Sequence, residues 1–305
     1  MSVRWHVRPM PAPMHDDEIP HATNLVRRLL AAHGSWAELP IEYVPSTGTD
    51  NALYRLGEDL VVRLPLRPGS TRQIDRVARW LPILAPHLPL AVPVPVAKGE
   101  PTDDYPWTWS VVSWMPGEDA TTAPLDRDLL VADLAGFIAA LRGIDPTGGP
   151  RPSAANFGRG VPLVLRDDET RRWIEKARGL VDTRAVAAAW DDALRVPAWD
   201  GPPVWLHGDI ASGNLLVEDG RVSAVIDWGA LGVGDPACDL LVAWEMLDAG
   251  GRDALRTRLG VDDATWARGR GWALSTAIIS LPYYEGTNAF MADQARRKLA
   301  AVLAD

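Results

Sequence analysis

The densest set of groups able to do chemistry lies in VWLHGDIASGNLLVEDGRVSAVIDWGALGVGDPACDL, which holds His207, Asp209, Asn214, Asp227, Asp235 and Asp239. Phosphoryl transfer needs a residue that orients an attacking hydroxyl and accepts its proton. It also needs hard oxygen ligands for a Mg²⁺ that bridges the phosphates. Asp209 precedes Asn214 by five residues, and Asp227 follows after a hairpin, which together supply that set. Any one of these acids alone reads as a turn or cap residue; the ordered set is what points to chemistry. Asp235 before Pro236 also has the form of a helix N-cap with proline at the first helical position.

These groups must be positioned by the elements around them. Leu215–Glu218 and Arg221–Ile226 read as two strands joined at Asp219-Gly220, a hairpin that returns the chain to one cleft. Upstream, residues 20–34 carry Leu25, Val26, Leu29 and Leu30 at helical spacing, with Gly34 as the expected stop. From Ile41 to Trp114 the texture is strand-like: IEYVPS, ALYRLG, DLVVRLP, VPVPVA and WTWSVVSW. Gly57-Glu58-Asp59 forms a turn between two of them. One helix interrupts, from Ser70 to Ala85, with Ile74, Val77, Leu81 and Leu84 on its apolar face. Trp107 and Trp109 alternate along the last strand and read as packing residues. Met115-Pro116-Gly117 opens a linker. Beyond it Leu130, Leu134, Phe137, Ile138 and Leu141 define an amphipathic helix. Further helices are expected at 168–178, 182–196, 236–249, 264–281 and 288–304.

HGDIASGN resembles the catalytic loop of the aminoglycoside phosphotransferase family, at the place where protein kinases carry an HRD-type loop. IDWG is similar to the metal-binding DFG segment, with Trp228 in place of Phe. The resemblance covers residues 20–304. It implies an α+β, protein-kinase-like bilobal fold: a small antiparallel β-sheet N-lobe over 20–114 that binds nucleotide, and a larger helical C-lobe over 115–305 with the catalytic and acceptor sites; residues 1–19, by their own composition, read as a mobile, proline-containing tail. Asp209 is then the catalytic base, and His207 braces the loop. Asn214 and Asp227 are the Mg²⁺ ligands, and Asp239 holds the catalytic loop by hydrogen bonds. PSTGTDNALYRLG resembles the family's nucleotide-positioning loop, so Ser46, Thr47, Gly48 and Thr49 are expected at phosphate oxygens. WTWSVVSWMPG matches the hinge, with backbone groups of Ser113 to Met115 at the purine.

Two positions depart from the kinase pattern. The third strand carries Arg63 where kinases place a lysine, and the chain has only three lysines, Lys98, Lys176 and Lys298. Arginine keeps the charge and binds phosphate bidentately, so the role survives. The helix that follows should offer a Glu to pair with it. Val77 occupies that position, Asp75 lies off the apolar face and Gln73 nearer its inward edge, so no standard ion pair is expected.

The resemblance implies an O-phosphotransferase that uses Mg²⁺ and ATP, with GTP as the alternative nucleotide, and phosphorylates a small-molecule hydroxyl. The acceptor is an aminoglycoside or other antibiotic, giving resistance, or a metabolite of the choline, homoserine, sugar or fructosamine type. A nucleotide-binding regulator that has lost catalysis is the competing reading; positions 63 and 77 favour it, and intact Asp209, Asn214 and Asp227 oppose it. The formal charge of −9 and pI near 5.2 argue against a nucleic-acid partner and suit a cationic acceptor. Glu285, between two late helices, is the acid expected to meet it. The absence of a membrane-length apolar run and of a signal-peptide core points to a cytoplasmic protein. Cys238 reads as a small buried hydrophobe.

Overall fold

The computed structural model describes residues 21–45, 50–66, 71 and 73–305. Ser46, Thr47, Gly48 and Thr49, like the 1–19 segment, lie outside the described residues. Helix α1 (Thr23–Leu30) leads into β1 (Ile41–Val44), β2 (Asn51–Leu56) and β3 (Leu60–Pro65), then α2 (Ile74–Leu84), β4 (Pro95–Gly99) and β5 (Trp109–Ser113). The strands form one antiparallel sheet in the order β1-β2-β3-β5-β4. Alternation in β2 turns Ala52, Tyr54 and Leu56 inward, onto Leu25, Val26, Leu29 and Leu30 of α1 and onto Trp109. Gly57 has a φ of +63° and lets Leu56 pair with Leu60 across the expected turn.

Helix α1 stops at Leu30, not Gly34. Ala31-Ala32-His33 offers no further apolar side chain to the sheet, and Gly34, with a φ of +57°, begins a separate 3₁₀ turn over Gly34–Glu38.

The second, larger core begins with β6 (Glu118–Asp119) and α3 (Arg127–Gly143), followed by α4 (Asp167–Lys176) and α5 (Thr183–Arg195). Next come β7 (Val204–Leu206), β8 (Leu215–Glu218), β9 (Arg221–Val225) and β10 (Gly232–Gly234). The β8–β9 turn has positive φ at both Asp219 (51°) and Gly220 (76°), as a tight hairpin requires. Beyond β10 lie α6 (Val242–Met246), α7 (Ala249–Leu259), α8 (Asp263–Tyr284) and α9 (Ala289–Leu303). Trp190, Trp205, Trp228, Trp244 and Trp272 are fully buried here. The single helix expected over 236–249 is instead a 3₁₀ segment, Pro236–Leu241, running into the short α6. A separate α7 follows, which Gly250 and Gly251 concealed by their low helix propensity. Its start signal was present: the Asp248 side chain accepts from the Gly251 N–H at 2.8 Å as N-cap.

The two cores are stitched together. Three of the four buried side chains of α2, Val77, Leu81 and Leu84, belong to the larger core rather than to that of the sheet. The Arg76 guanidinium donates to the Leu231 carbonyl at 3.1 Å and to the Ala155 carbonyl. Ala91, ahead of β4, exchanges backbone bonds with β9: its N–H donates to the Ser223 carbonyl at 3.1 Å, and the Val225 N–H donates to its carbonyl at 2.9 Å. No described helix is long and apolar enough to cross a membrane.

Helices α6 and α9 are joined by a buried ion pair, Glu245 with Lys298, at 2.5 Å. Burial alone would raise the Glu245 carboxyl. The Lys298 ammonium and the Ser212 N–H and O–H outweigh it and hold the carboxyl below its usual range. A depressed carboxylate contributes stability that is present above its unfolded pKa, about 4.3, and is lost as pH falls through its folded value. Lys298→Met should therefore destabilise the protein by about 3–5 kcal/mol at neutral pH, the cost of stranding one partner of a buried pair. The gap from wild type, measured by urea denaturation, should shrink as the pH falls below about 4. A gap that stays constant with pH would show that the pair's charge contributes nothing.

Candidate active site

Strand β7 delivers His207, Gly208 and Asp209 to the cleft. Gly208 has a φ of +84°, and a Cβ there would lie 2.7 Å from the Ala230 carbonyl oxygen, so only glycine lets the chain turn at this point. Asp239 is 1% exposed and accepts from the His207 N–H at 2.9 Å and the Gly208 N–H at 2.7 Å. Burial pushes its carboxyl up, while His207 and those two N–H donors pull against it. Asp235 does a different job: it caps the 3₁₀ segment and forms a bidentate pair with Arg268, at 2.7 and 3.3 Å.

The His207 ring is shared between two segments. Its Nδ1 accepts from the Asp209 N–H at 3.2 Å, which leaves Nε2 to donate to the Ile226 carbonyl at 3.0 Å. The ring packs edge-on against Trp228 at 4.8 Å, and Trp228 donates its indole N–H to the Val225 carbonyl. The imidazole therefore ties the loop holding Asp209 to the segment holding Asp227. Asn214 makes the second tie: its Nδ2 donates to the Asp209 carbonyl at 2.8 Å, and its own carbonyl accepts from the Ile226 N–H at 2.9 Å. Its Nδ2 lies 3.4 Å from Asp209 Oδ2.

That amide orientation leaves the Asn214 Oδ1 open as an acceptor. Asp227 is held in the left-handed region, with a φ of 57° and a ψ of 69°, a costly conformation for a residue other than glycine. Its side chain is 43% exposed toward the cleft. One carboxylate and one amide oxygen suit Mg²⁺, which keeps most of its coordination for waters and phosphates. No cluster of three or more His, Cys, Asp or Glu side chains able to hold a metal exists among the described residues.

Each acid has an arginine partner. Arg63 on β3 reaches across to Asp227 Oδ1 at 3.1 Å. Arg159 pairs with Asp209 Oδ1 at 3.0 Å. The sequence reading missed Arg159. Its one local signal was the glycine on each side, Gly158 at φ +64° and Gly160 at φ +86°, which shape the loop that presents it. Asp75 pairs with Lys98 at 3.0 Å and not with Arg63, as its position off the apolar face implied. Val77 is buried. Gln73 is buried against Gly229, where a Cβ would sit 2.0 Å from its Oε1, so the glycine after Trp228 makes room for it.

At the hinge, the Ser113 N–H donates to the Val94 carbonyl at 3.0 Å and the Trp114 N–H to the Asp59 carbonyl at 2.7 Å. Met115 lies just beyond β5, where the chain leaves the sheet. Trp109 is 1% exposed and packs where a Cβ on Gly99 would stand, so its role is packing. Cys238 is buried, and burial pushes its thiol up. Glu285 follows the last turn of α8, and its carboxylate is held by Arg296. The carboxylate that borders the catalytic loop is Glu245, which accepts from the Ser212 N–H at 2.7 Å and Oγ at 3.1 Å.

Comparison with known proteins bears on the family and the fold. A stretch of 59 residues is 37% identical to an aminoglycoside 3'-phosphotransferase of Escherichia coli, covering 19% of this chain and 22% of the relative. A longer stretch of 167 residues is 31% identical to the viomycin phosphotransferase of Streptomyces vinaceus, covering 48% of this chain and 53% of the relative. The matches thus span about half the length of these curated relatives or less. The fold superimposes on the GDP complex of aminoglycoside 2'-phosphotransferase-IIIa with a TM-score of 0.66 at 16% identity, over 92% of this chain and 97% of that one, so the bilobal kinase-like architecture is shared. The model of the phosphotransferase enzyme family matches residues 44–272, from the end of β1 into α8 and across the whole stretch from Arg63 to Asp239, and the chain belongs to that family.

Proposed function

We propose that this protein is a Mg²⁺-dependent O-phosphotransferase that moves the γ-phosphoryl of ATP or GTP to a hydroxyl of a small molecule. The observation that carries the reading is the juxtaposition of Asp209, Asn214 and Asp227. Asn214 touches the Asp209 loop through its side chain and the Ile226-Asp227 segment through its backbone. In this reading an Asp209 oxygen accepts the proton of the attacking hydroxyl, and Arg159 fixes the direction in which that carboxylate points. Asp227 and the Asn214 Oδ1 would hold the cation, which would supply charge to offset that of the phosphate oxygens. Asp239 and His207 hold the loop in register. The Arg63 guanidinium, which stands beside Asp227, would take phosphate oxygens, the task of the usual lysine. In this reading the Ser113 carbonyl and Met115 N–H meet the purine base, and Ser46, Thr47, Gly48 and Thr49, which lie outside the described residues, are assigned to the phosphates.

Arg63 and Gln73 bear on the competing regulator reading. The charge missing from position 77 is supplied from Asp227, so Arg63 is not an orphaned remnant. That supports an active enzyme. Relatives and fold neighbours are named for aminoglycosides and viomycin. An antibiotic or a metabolite bearing a reactive hydroxyl is the acceptor class this reading takes.

Asp209→Asn should lower kcat by about 10²–10⁴, the usual share of a positioned general base. Its melting temperature should stay close to wild type, since the side chain is 44% exposed. Near wild-type turnover would sink the assignment. Arg63→Ala should raise the KM for nucleotide far more than that for acceptor, and Arg63→Lys should recover part of the loss. Asp75→Ala should leave both constants alone, because Asp75 pairs with Lys98 at the surface; a loss matching that of Arg63→Ala would overturn the role given to α2.

A further inference from the structure

Beside the catalytic loop lies a chamber of about 290 Å³, bounded by Ser212, the start of α3, the end of α6 and one side of α9. Ser212 lines the chamber and follows Asp209 by three residues, so a ligand here lies beside the loop that carries the proposed base. We infer that the chamber takes a compact acceptor carrying a carboxylate rather than a polyamine. The inference rests on the phosphotransferase reading above and names the substrate class of the same site.

The charges lining the chamber decide this. Glu245 is the one carboxylate on its wall among the described residues. It is fully committed: one oxygen accepts from the Ser212 N–H and Oγ, and the other meets Lys298 at 2.5 Å. The two side chains are 5% and 11% exposed. An ammonium group could use Glu245 only by displacing Lys298 and stranding a buried charge, which is strongly unfavourable. The mouth carries the opposite sign. Arg127 lines it and is shared with Asp248 at 2.6 Å. Arg297 also lines it, is exposed, and has no hydrogen-bond or ion-pair partner among the described residues. An unshared guanidinium offers a two-pronged donor that matches a carboxylate. Glu285, the acid expected to attract a cation, is held by Arg296 and does not line the chamber.

Size and polarity agree. The volume sits at the low end of the roughly 300–1,000 Å³ of small-molecule sites, which favours a compact body over an extended oligosaccharide. Phe290 and Met246 give that body an apolar wall. Gln294 donates to the Ser212 Oγ at 2.7 Å, so the floor is polar and its donors are ordered. The chain's net charge of −9 works against an anion at long range. Beyond about 8–10 Å that field is screened at physiological salt, whereas contact with Arg297 is not.

The test uses the full chain with Mg²⁺ and nucleotide and compares matched probes: a hydroxymethyl-benzoate, the corresponding benzamide, the corresponding benzylamine, and kanamycin. Calorimetry reads binding, and mass spectrometry reads phosphorylated product. The benzoate should bind about tenfold or more tighter than the benzamide, the scale of one charge-assisted hydrogen bond, with the benzylamine weakest. Arg297→Gln should abolish the benzoate's advantage while leaving benzamide binding unchanged. Tighter binding of the benzylamine or kanamycin, equal binding of the matched set, no binding of the benzoate, or indifference to Arg297→Gln would each overturn the carboxylate assignment. Phosphorylation of kanamycin alone would do the same while leaving the phosphotransferase reading intact. Benzoate binding with no phosphorylated product from any probe would uphold the chamber's chemistry and count against that reading.

Discussion

One buried carboxylate sets the geometry of the cleft. Asp239 is 1% exposed, and its two oxygens take the N–H groups of His207 and Gly208. Removing a carboxylate from water costs several kcal/mol, and only directed donors recover it. The chain meets that cost with consecutive backbone amides, which leaves the turn between β7 and Asp209 no freedom to reorient. From that fixed turn His207 reaches Ile226, and the Ile226 amide reaches Asn214, so the positions of Asp209, Asn214 and Asp227 are set by one hydrogen-bonded ring of backbone and imidazole. The strain at Asp227, with its positive φ, is held in place by this ring on one side and by the packing of Trp228 on the other.

The two acids exposed to the cleft would repel each other if both stood unpaired. Arg159 and Arg63 prevent this, one from the loop before α4 and one from the sheet. The second pair also links the small sheet to the larger core, as do Arg76 and the Ala91 bridge. Helix α2 is therefore packed as part of the larger core. The cleft between sheet and loop therefore holds its two acids already paired, Asp227 with Arg63 and Asp209 with Arg159.

Much of this was legible in the residues. The strand-like texture, the Asp219-Gly220 hairpin and the apolar face of α2 follow from period and turn chemistry, and each is present. The spacing of Asp209, Asn214 and Asp227 carried the chemistry because a hairpin must bring its ends together. The missing pair at position 77 was also legible, since Asp75 falls off the buried stripe. Long-range partnerships were not. Nothing local marks Arg159 as the mate of Asp209, fifty residues away. Glu245 reads as one more surface acid until α9 brings Lys298 against it. Helix α7 was hidden because consecutive glycines argue against a helix that tertiary packing nonetheless supports, and α1 ends early because its apolar stripe does. The acceptor's charge could not be read from net composition, because what matters is which acids remain unpaired at one wall.

The central claim, that the cleft transfers a phosphoryl group to a hydroxyl, is tested most directly by following the group itself. The protein is incubated with Mg²⁺, nucleotide carrying ¹⁸O in its γ-phosphoryl, and a mixed set of hydroxylated antibiotics, hydroxy acids and amino alcohols, and mass spectrometry then locates the label. The account predicts ¹⁸O-labelled phosphomonoester on at least one acceptor, formed in step with nucleoside diphosphate. Label found only in inorganic phosphate, or left on the nucleotide throughout, would contradict it.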